Sequence, residues 1–265
     1  MSNAVIAPNR LKQALRAGKS VIGTMLVEMR QPSAMQLLAN AGFDFVIIDN
    51  EHGAFNRETV ADLSRTARYV GLTPIVRVPD LSYVQIATSL DGGAQGIMAP
   101  RIYNAPQVRE VVQIMKYPPA GIRGTALSRG YTEFKSPPLV ESMARNNEET
   151  MLIVQIETQE AVINLEEIMS VHGVDVTLIG PTDLSISLGV AGQMDNSHLH
   201  AAIEAMLATC QHHANVYPGI HINDLNSAVY WAKKGMRLVS SSSETGLLMK
   251  AGGELTSTVR QAFGG

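Results

Sequence analysis

The chain has one cysteine, Cys210, so it can form no internal disulfide. That residue lies in the helical pattern IEAMLATCQHH (203–213), where a buried, inert thiol is expected. There is no basic excess. Lys and Arg total 21 against 24 Asp and Glu, a net charge of −3, which leaves no electrostatic footprint for nucleic acid or an anionic membrane. No apolar run approaches the roughly 18 residues of a membrane span. The opening MSNAVIAPNRLKQALRAGKS lacks the apolar core of a signal peptide. The expectation is a soluble protein of a reducing compartment, most simply the cytoplasm. No GxGxxG follows the first strand candidate and no GxxxxGK[ST] occurs, so the usual nucleotide fingerprints are missing. No low-complexity linker or composition shift divides the chain, which reads as one domain over 1–265.

What is present is an alternation. Apolar, β-branched runs at 21–27, 45–48, 73–78, 95–99, 151–156, 175–179, 216–220 and 237–240 read as eight strands. Between them, helical spacing marks 32–40, 56–70, 83–90, 105–115, 139–147, 160–169, 197–215 and 225–234, with a last helix at 247–263. GPTDLS after the sixth strand reads as a turn. A long irregular stretch, 117–138, rich in Gly, Pro and Arg, reads as an active-site loop. Eight strand–helix units in a chain of 265 residues imply parallel pairing and a (β/α)₈ TIM barrel. An open doubly wound sheet is the second choice.

In such a barrel the chemistry sits at the C-terminal ends of the strands. FDFVIIDNEHG (43–53) ends its buried strand in Asp49 and His52. IVRVP places Arg77, IVQIET places Gln155 and Glu157, and LIGPTDLS places Asp183 at three further strand ends. Buried charges at four strand ends need partners or a metal. Glu157 and Asp183 are hard oxygen ligands suited to Mg²⁺ or Mn²⁺, with Co²⁺ as an alternative; Zn²⁺ would usually bring more His or Cys. Arg77 can clamp a carboxylate or carbonyl and stabilise developing negative charge. His52 can move a proton, with Asp49 placed to orient its ring. His172 falls at the opposite barrel end; His198, His200, His212 and His213 belong to one helix surface; His221 follows strand seven and is kept as a pocket residue. None of the lysines stands at a strand's C-terminal end, which argues against a Schiff-base mechanism. Together these parts would make and hold an enolate from a 2-oxo acid polarised by a metal.

These residues resemble the HpcH/HpaI aldolase family of metal-dependent pyruvate aldolases. The matching segments are GFDFVIIDNEHG (42–53), PIVRVP (74–79), LDGGAQGIMAP (90–100), YPPAGIRG (117–124), VQIET (154–158) and GPTDLSISLG (180–189). The resemblance implies a (β/α)₈ barrel assembled as a hexamer, a trimer of dimers that exchange the eighth helix, here 247–263. It implies Glu157 and Asp183 as metal ligands and Arg77 as the arginine that binds pyruvate and stabilises its enolate. It implies His52 and Asp49 as a catalytic pair acting through water, and Gln155 beside the metal and pyruvate. The backbone of Pro181, Thr182 and Asp183 would meet the pyruvate carboxylate. Asp91 would reach a neighbouring subunit's site. Two positions depart from the family pattern: Asn50, usually apolar or small, and SSSSET (240–245), where a Gly-Ser/Thr-Asp type strand end is common.

The expected reaction is reversible cleavage of a 4-hydroxy-2-oxo acid to pyruvate and an aldehyde. The alternatives are a citrate-lyase-like coenzyme A ester lyase or oxaloacetate decarboxylase on the same scaffold, or a non-catalytic 2-oxo-acid-binding barrel. Arg123 and Arg129 in the long loop are candidates for a distal carboxylate or hydroxyl of the aldehyde, or for subunit contacts.

Overall fold

The structure is a computed structural model that describes residues 6–263. The expected span of 1–265 therefore includes 1–5 and 264–265, which lie outside the described residues. Eight strands close into an all-parallel barrel in chain order: β1 (Val21–Leu26), β2 (Phe45–Asp49), β3 (Thr73–Arg77), β4 (Gly96–Ala99), β5 (Met151–Ile156), β6 (Val176–Ile179), β7 (Tyr217–His221) and β8 (Leu238–Ser243). β8 returns to pair with β1. The TIM-barrel reading holds and the open-sheet alternative falls.

Side chains alternate across each strand. One set fills the barrel interior: Met25, Phe45, Ile47, Ile75, Met98, Met151, Ile153, Val176, Leu178 and Leu238. The other faces the helices and joins the outer core, including Val46, Ile48, Val76, Val154, Ile179, Ile220 and Val239. Both faces of the strands are thus buried, which is why these segments read as continuous apolar runs.

A helix that periodicity alone did not mark, α1 (Arg10–Arg16), plugs the N-terminal end of the barrel with Leu11 and Leu15. It is followed by α2 (Ser33–Asn40), α3 (Arg57–Tyr69), α4 (Tyr83–Gly92), α5 (Ala105–Met115) and α6 (Leu139–Glu149). The helix expected over 160–169 is two, α7 (Gln159–Ile163) and α8 (Leu165–Met169), broken at Asn164, whose amide instead donates to Tyr103 O at 2.8 Å. The expected turn at GPTDLS is a helix, α9 (Pro181–Ser187), with proline preset for its first turn. α10 (Ser197–Cys210) stops earlier than expected, α11 (Leu225–Lys234) matches, and α12 (Glu244–Ala262) begins three residues early.

The 117–138 stretch is anchored on the helices outside the barrel. It lies along α3 and α4. Arg68 Nη1 donates to Gly130 O at 3.0 Å, and Tyr83 OH accepts from Gly124 N at 2.8 Å. Arg123 is buried, with Nη2 on Asp91 Oδ1 at 2.6 Å and Nη1 on Asn146 Oδ1 at 3.0 Å. Its guanidinium also lies over Tyr117 and Tyr131. Arg123 therefore fixes the loop and is not free to meet an aldehyde.

Candidate active site

Asp49 and Arg77 end neighbouring strands and are register partners. Their side chains meet as a fork. Arg77 Nε donates to Asp49 Oδ1 at 2.8 Å and Nη2 to Oδ2 at 2.6 Å. Oδ1 also accepts from the backbone N–H of Glu51 at 3.0 Å and His52 at 3.3 Å. Burial by itself pushes the Asp49 carboxyl up, but the Arg77 hydrogen bonds and charge and the two backbone donors outweigh it, and Asp49 lies below the usual carboxylate range. Gly53 permits this turn, because a Cβ there would collide with the backbone oxygen of Asp49.

This geometry corrects one expectation. Asp49 grips the backbone of His52 and not its ring. The imidazole is 64% exposed, and its closest carboxylate is Glu51, 3.9 Å from Nε2. Glu51 went unassigned at the sequence level and is a central residue. Its buried carboxylate bridges Arg77 Nη1 at 3.2 Å and Arg101 Nε at 3.0 Å. The available signal is a second acid, between Asp49 and His52, at a buried strand end. Burial pulls Arg77 down, but Asp49, Glu51 and Glu157 hold its guanidinium above its ordinary value.

Across the barrel, β5 supplies Gln155 and the residue just past its end, Glu157. Both are buried. Glu157 Oε1 accepts from Arg101 N at 2.7 Å, and Oε2 accepts from Gln155 Nε2. Burial raises the Glu157 carboxyl, Arg101 N–H opposes it, and the charges of Glu51 and Asp183 raise it further. Asp183 sits in the exposed first turn of α9, beside Thr182 and the buried Pro181. Gly180 allows the close approach: a Cβ there would lie 3.0 Å from Gln155 Nε2 and 3.7 Å from Glu157 Oε2.

A divalent cation fits this corner. The Glu157 carboxyl is raised, first by burial and then by the charges of Glu51 and Asp183, which a cation would offset, and Gln155 Oε1 is buried without a hydrogen-bond partner. The donors are hard oxygens. Among the described residues no three or more His, Cys, Asp and Glu side chains group as a metal site; a cation held by Glu157 and Asp183 would have to complete its shell with water and substrate oxygens.

His221 is the last residue of β7, which ends one residue later than the expected 216–220 and so includes it. Its Nδ1 lies 2.9 Å from Ser240 Oγ. Burial, then the Arg77 charge, pull the imidazole down to about 4, against Asp49. Asp91 is not at this mouth in its own chain. It stands at the far end of α4, paired with Arg123. No helix among the described residues is long and apolar enough to cross a membrane.

The chain is similar to known proteins along most of its length. The HpcH/HpaI aldolase/citrate lyase family profile matches residues 24–251. The chain is 39% identical over 246 residues to 4-hydroxy-2-oxo-heptane-1,7-dioate aldolase of Escherichia coli (strain ATCC 8739), covering 92% of each protein. It superposes on the HpcH/HpaI aldolase of Desulfitobacterium hafniense DCB-2 with a TM-score of 0.90 at 32% identity, over 94% of this chain and 96% of that one. The citrate synthase SbnG follows at a TM-score of 0.87 and 28% identity, over 99% and 100%. The chain is a carbon–carbon lyase of the aldolase type, and it belongs to the HpcH/HpaI aldolase/citrate lyase family.

Proposed function

We propose that the protein reversibly cleaves 4-hydroxy-2-oxo acids to pyruvate and an aldehyde through a pyruvate enolate. The observation that carries this reading is the pairing of opposites across one mouth. Arg77 is held rigid and permanently charged by Asp49 and Glu51. Facing it, Glu157 and Gln155 leave negative charge and an unpartnered oxygen.

Glu157 and Asp183 hold a divalent metal, Mg²⁺ or Mn²⁺, with Co²⁺ as an alternative. That metal, when bound, supplies Lewis acidity toward the 2-oxo group. Arg77 binds the 2-oxo acid and stabilises the negative charge that develops as the C3–C4 bond breaks. Gln155 orients the same end of the substrate, and residues 181–183 meet its carboxylate. The exposed ring of His52 takes the 4-hydroxyl proton through water in cleavage and returns it in addition. Asp49 is a positioning residue for Arg77, since its oxygens are committed to that guanidinium and to the backbone of the turn. A catalytic pair of His52 with Asp49 does not fit the geometry. Asp91, which the resemblance brings from a neighbouring subunit to this site, is the candidate partner for the ring.

An assembly also accounts for α12. Past its buried Glu244 the helix is largely exposed, with Leu248, Met249 and Leu255 on its surface and exposed Phe263 just past its end. Apolar side chains in this density call for a cover. Exchange of α12 between two copies, within a trimer of dimers, supplies one. The single buried thiol of Cys210 supports a reducing, cytoplasmic setting.

The test is proton–deuterium exchange at the pyruvate methyl, followed by NMR with and without Mg²⁺ or Mn²⁺. Metal-dependent exchange that disappears in Arg77→Ala is the expected result. Folded, metal-loaded protein that shows none would overturn the reading, and turnover of coenzyme A esters in its place would favour the citrate-lyase-like alternative.

A further inference from the structure

Two residues in the upper layer of the barrel have no role in the reaction as drawn. They are His221 on β7 and Ser240 on β8, and they are register partners. Strand alternation sets them on the inward face. Ser240 lies two residues past Leu238, which is part of the barrel interior, whereas Ile220 and Val239 face the helices. The inward-facing residues of this layer on β2, β3 and β5 are Asp49, Arg77 and Gln155, all site residues. His221 and Ser240 continue the same polar layer around the β7–β8 wall.

The hydrogen bond between them fixes the imidazole tautomer. Ser240 is fully buried, and its hydroxyl has one partner among the described residues, His221 Nδ1 at 2.9 Å. If Nδ1 carried the proton it would donate to Ser240 Oγ, and the buried hydroxyl proton would then have no acceptor. An unsatisfied buried donor costs roughly 1–3 kcal/mol. If Ser240 Oγ–H donates to Nδ1, both groups are satisfied and the ring proton sits on Nε2. The ring is also neutral at pH 7, because burial and the Arg77 charge oppose its protonation. A neutral Nε2–H with no acceptor among the described residues then remains on the inner wall of the site, close enough to Arg77 and Asp49 for their charges to act on it.

We infer that His221, oriented by Ser240, donates this Nε2–H to an oxygen substituent on the 2-oxo acid held by Arg77, and so favours hydroxylated donors over alkyl donors of the same size. The inference rests on the proposed enolate chemistry and adds a substrate class to it. On the neighbouring β1 the barrel interior holds Met25, which offers no hydrogen bond to compete with that donor. A donor in that setting rewards an oxygen and discriminates against a methyl group, which would leave the N–H unpaired.

The experiment compares hydroxypyruvate with 2-oxobutanoate, which differ by a hydroxyl in place of a methyl. C3 proton–deuterium exchange is measured for each, giving kcat and KM separately. Wild type is expected to prefer hydroxypyruvate. His221→Leu is expected to reduce the ratio of the two kcat/KM values by about tenfold, mainly through KM of the hydroxylated donor. His221→Gln, which keeps an N–H donor and a polar wall, is expected to retain part of the preference. Ser240→Ala releases the tautomer and is expected to fall between wild type and His221→Leu. In the free enzyme, imidazole ¹⁵N shifts should report the Nε2-protonated ring.

An unchanged ratio in His221→Leu, an equal loss for both donors, or an Nδ1-protonated ring would overturn the inference while leaving pyruvate exchange by wild type in place. Absence of pyruvate exchange in wild type is a different failure, that of the enolate reading itself. Should His221→Leu not fold, His221→Gln and the ¹⁵N measurement still decide the matter.

Discussion

Arg77 and Asp49 face each other across the β2–β3 ladder and share two charge-assisted hydrogen bonds, 2.8 and 2.6 Å long. The pair is deeply buried, so each group depends on the other. A lysine at position 77 would keep the charge and lose the fork. Arg77→Lys is therefore expected to fold and to lose about 10²-fold or more in kcat for enolate formation, the order seen when one oriented donor to a developing anion is removed. Steady-state methyl exchange measures it. Exchange at the wild-type rate would show that charge alone suffices.

Asp49→Asn is expected to behave differently. It keeps the shape of the strand end and removes the countercharge, leaving Arg77 with Glu51 as its one close carboxylate. Breaking a buried pair in this way costs roughly 3–5 kcal/mol. The carboxyl of Asp49 is lowered in the folded state, so its stabilising contribution is complete above its unfolded value near 3.8 and is lost as pH falls through the lower folded value. Urea unfolding from pH 3 to pH 7 should accordingly show wild type losing stability toward acid more steeply than the variant. Parallel curves would mean that the ion pair does not couple to folding.

Glu157→Gln tests the metal corner without removing its shape. The carboxyl is raised by burial and by Glu51 and Asp183, so its ionised form is held at a cost that a cation would offset. Glu157→Gln is expected to weaken Mn²⁺ binding at least about tenfold and to remove metal-dependent thermal stabilisation. Calorimetric titration and a melting curve with and without Mn²⁺ read both effects. Undiminished Mn²⁺ binding would move the metal elsewhere.

The barrel was legible because its strands are buried on both faces and so stand out as unbroken apolar runs, such as Phe45–Asp49 with its terminal acid. The strand-end polar residues followed from the fold. What was not legible depends on contacts far apart in sequence. α1 plugs the barrel through Leu11 and Leu15, two leucines on a short helix with no strong periodicity. The split at Asn164 follows from a bond to Tyr103 O, 61 positions away. Asp49 faces Arg77 rather than the His52 ring because register, not sequence spacing, decides which side chains meet. Arg123 resembles a loop cation in sequence, yet Asp91 and Asn146 bury it.

Lys116 provides a stability test away from the mouth. Its buried Nζ donates to Asn147 O at 2.6 Å and Thr150 O at 3.0 Å, with no carboxylate in contact among the described residues. Burial, then the charge of Lys12, pull it down to about 8 from 10.5, against Asp175. Between those values the unfolded chain binds more protons than the folded one, so stability rises with pH through that window. The contribution is on the order of 3 kcal/mol. Urea midpoints from pH 7.5 to 10.5 should climb more in wild type than in Lys116→Met. Equal slopes would show Lys116 to be charged and hydrated in the folded protein.

Glu244 gives the last test, at the position where the strand-eight ending departs from the family pattern. Its carboxylate is buried and collects the backbone N–H groups of Val27 at 3.0 and 2.9 Å, Glu28 at 2.7 Å and Met29 at 2.9 Å. The SSSSET segment therefore still supplies an acid, one that ties the start of α12 to the loop leaving β1. That loop borders the same mouth as Met25 and His221. Glu244→Ala would leave three consecutive donors without their acceptor. Hydrogen bonds to charged groups contribute roughly 1.5–3 kcal/mol each, and water recovers part of that here. The expected outcome is a loss of about 3 kcal/mol in urea unfolding and faster amide hydrogen exchange at residues 27–29. Glu244→Gln keeps one acceptor oxygen and should lose about half as much. A loop equally protected in Glu244→Ala and wild type would mean that β1 and its packing hold it without the carboxylate.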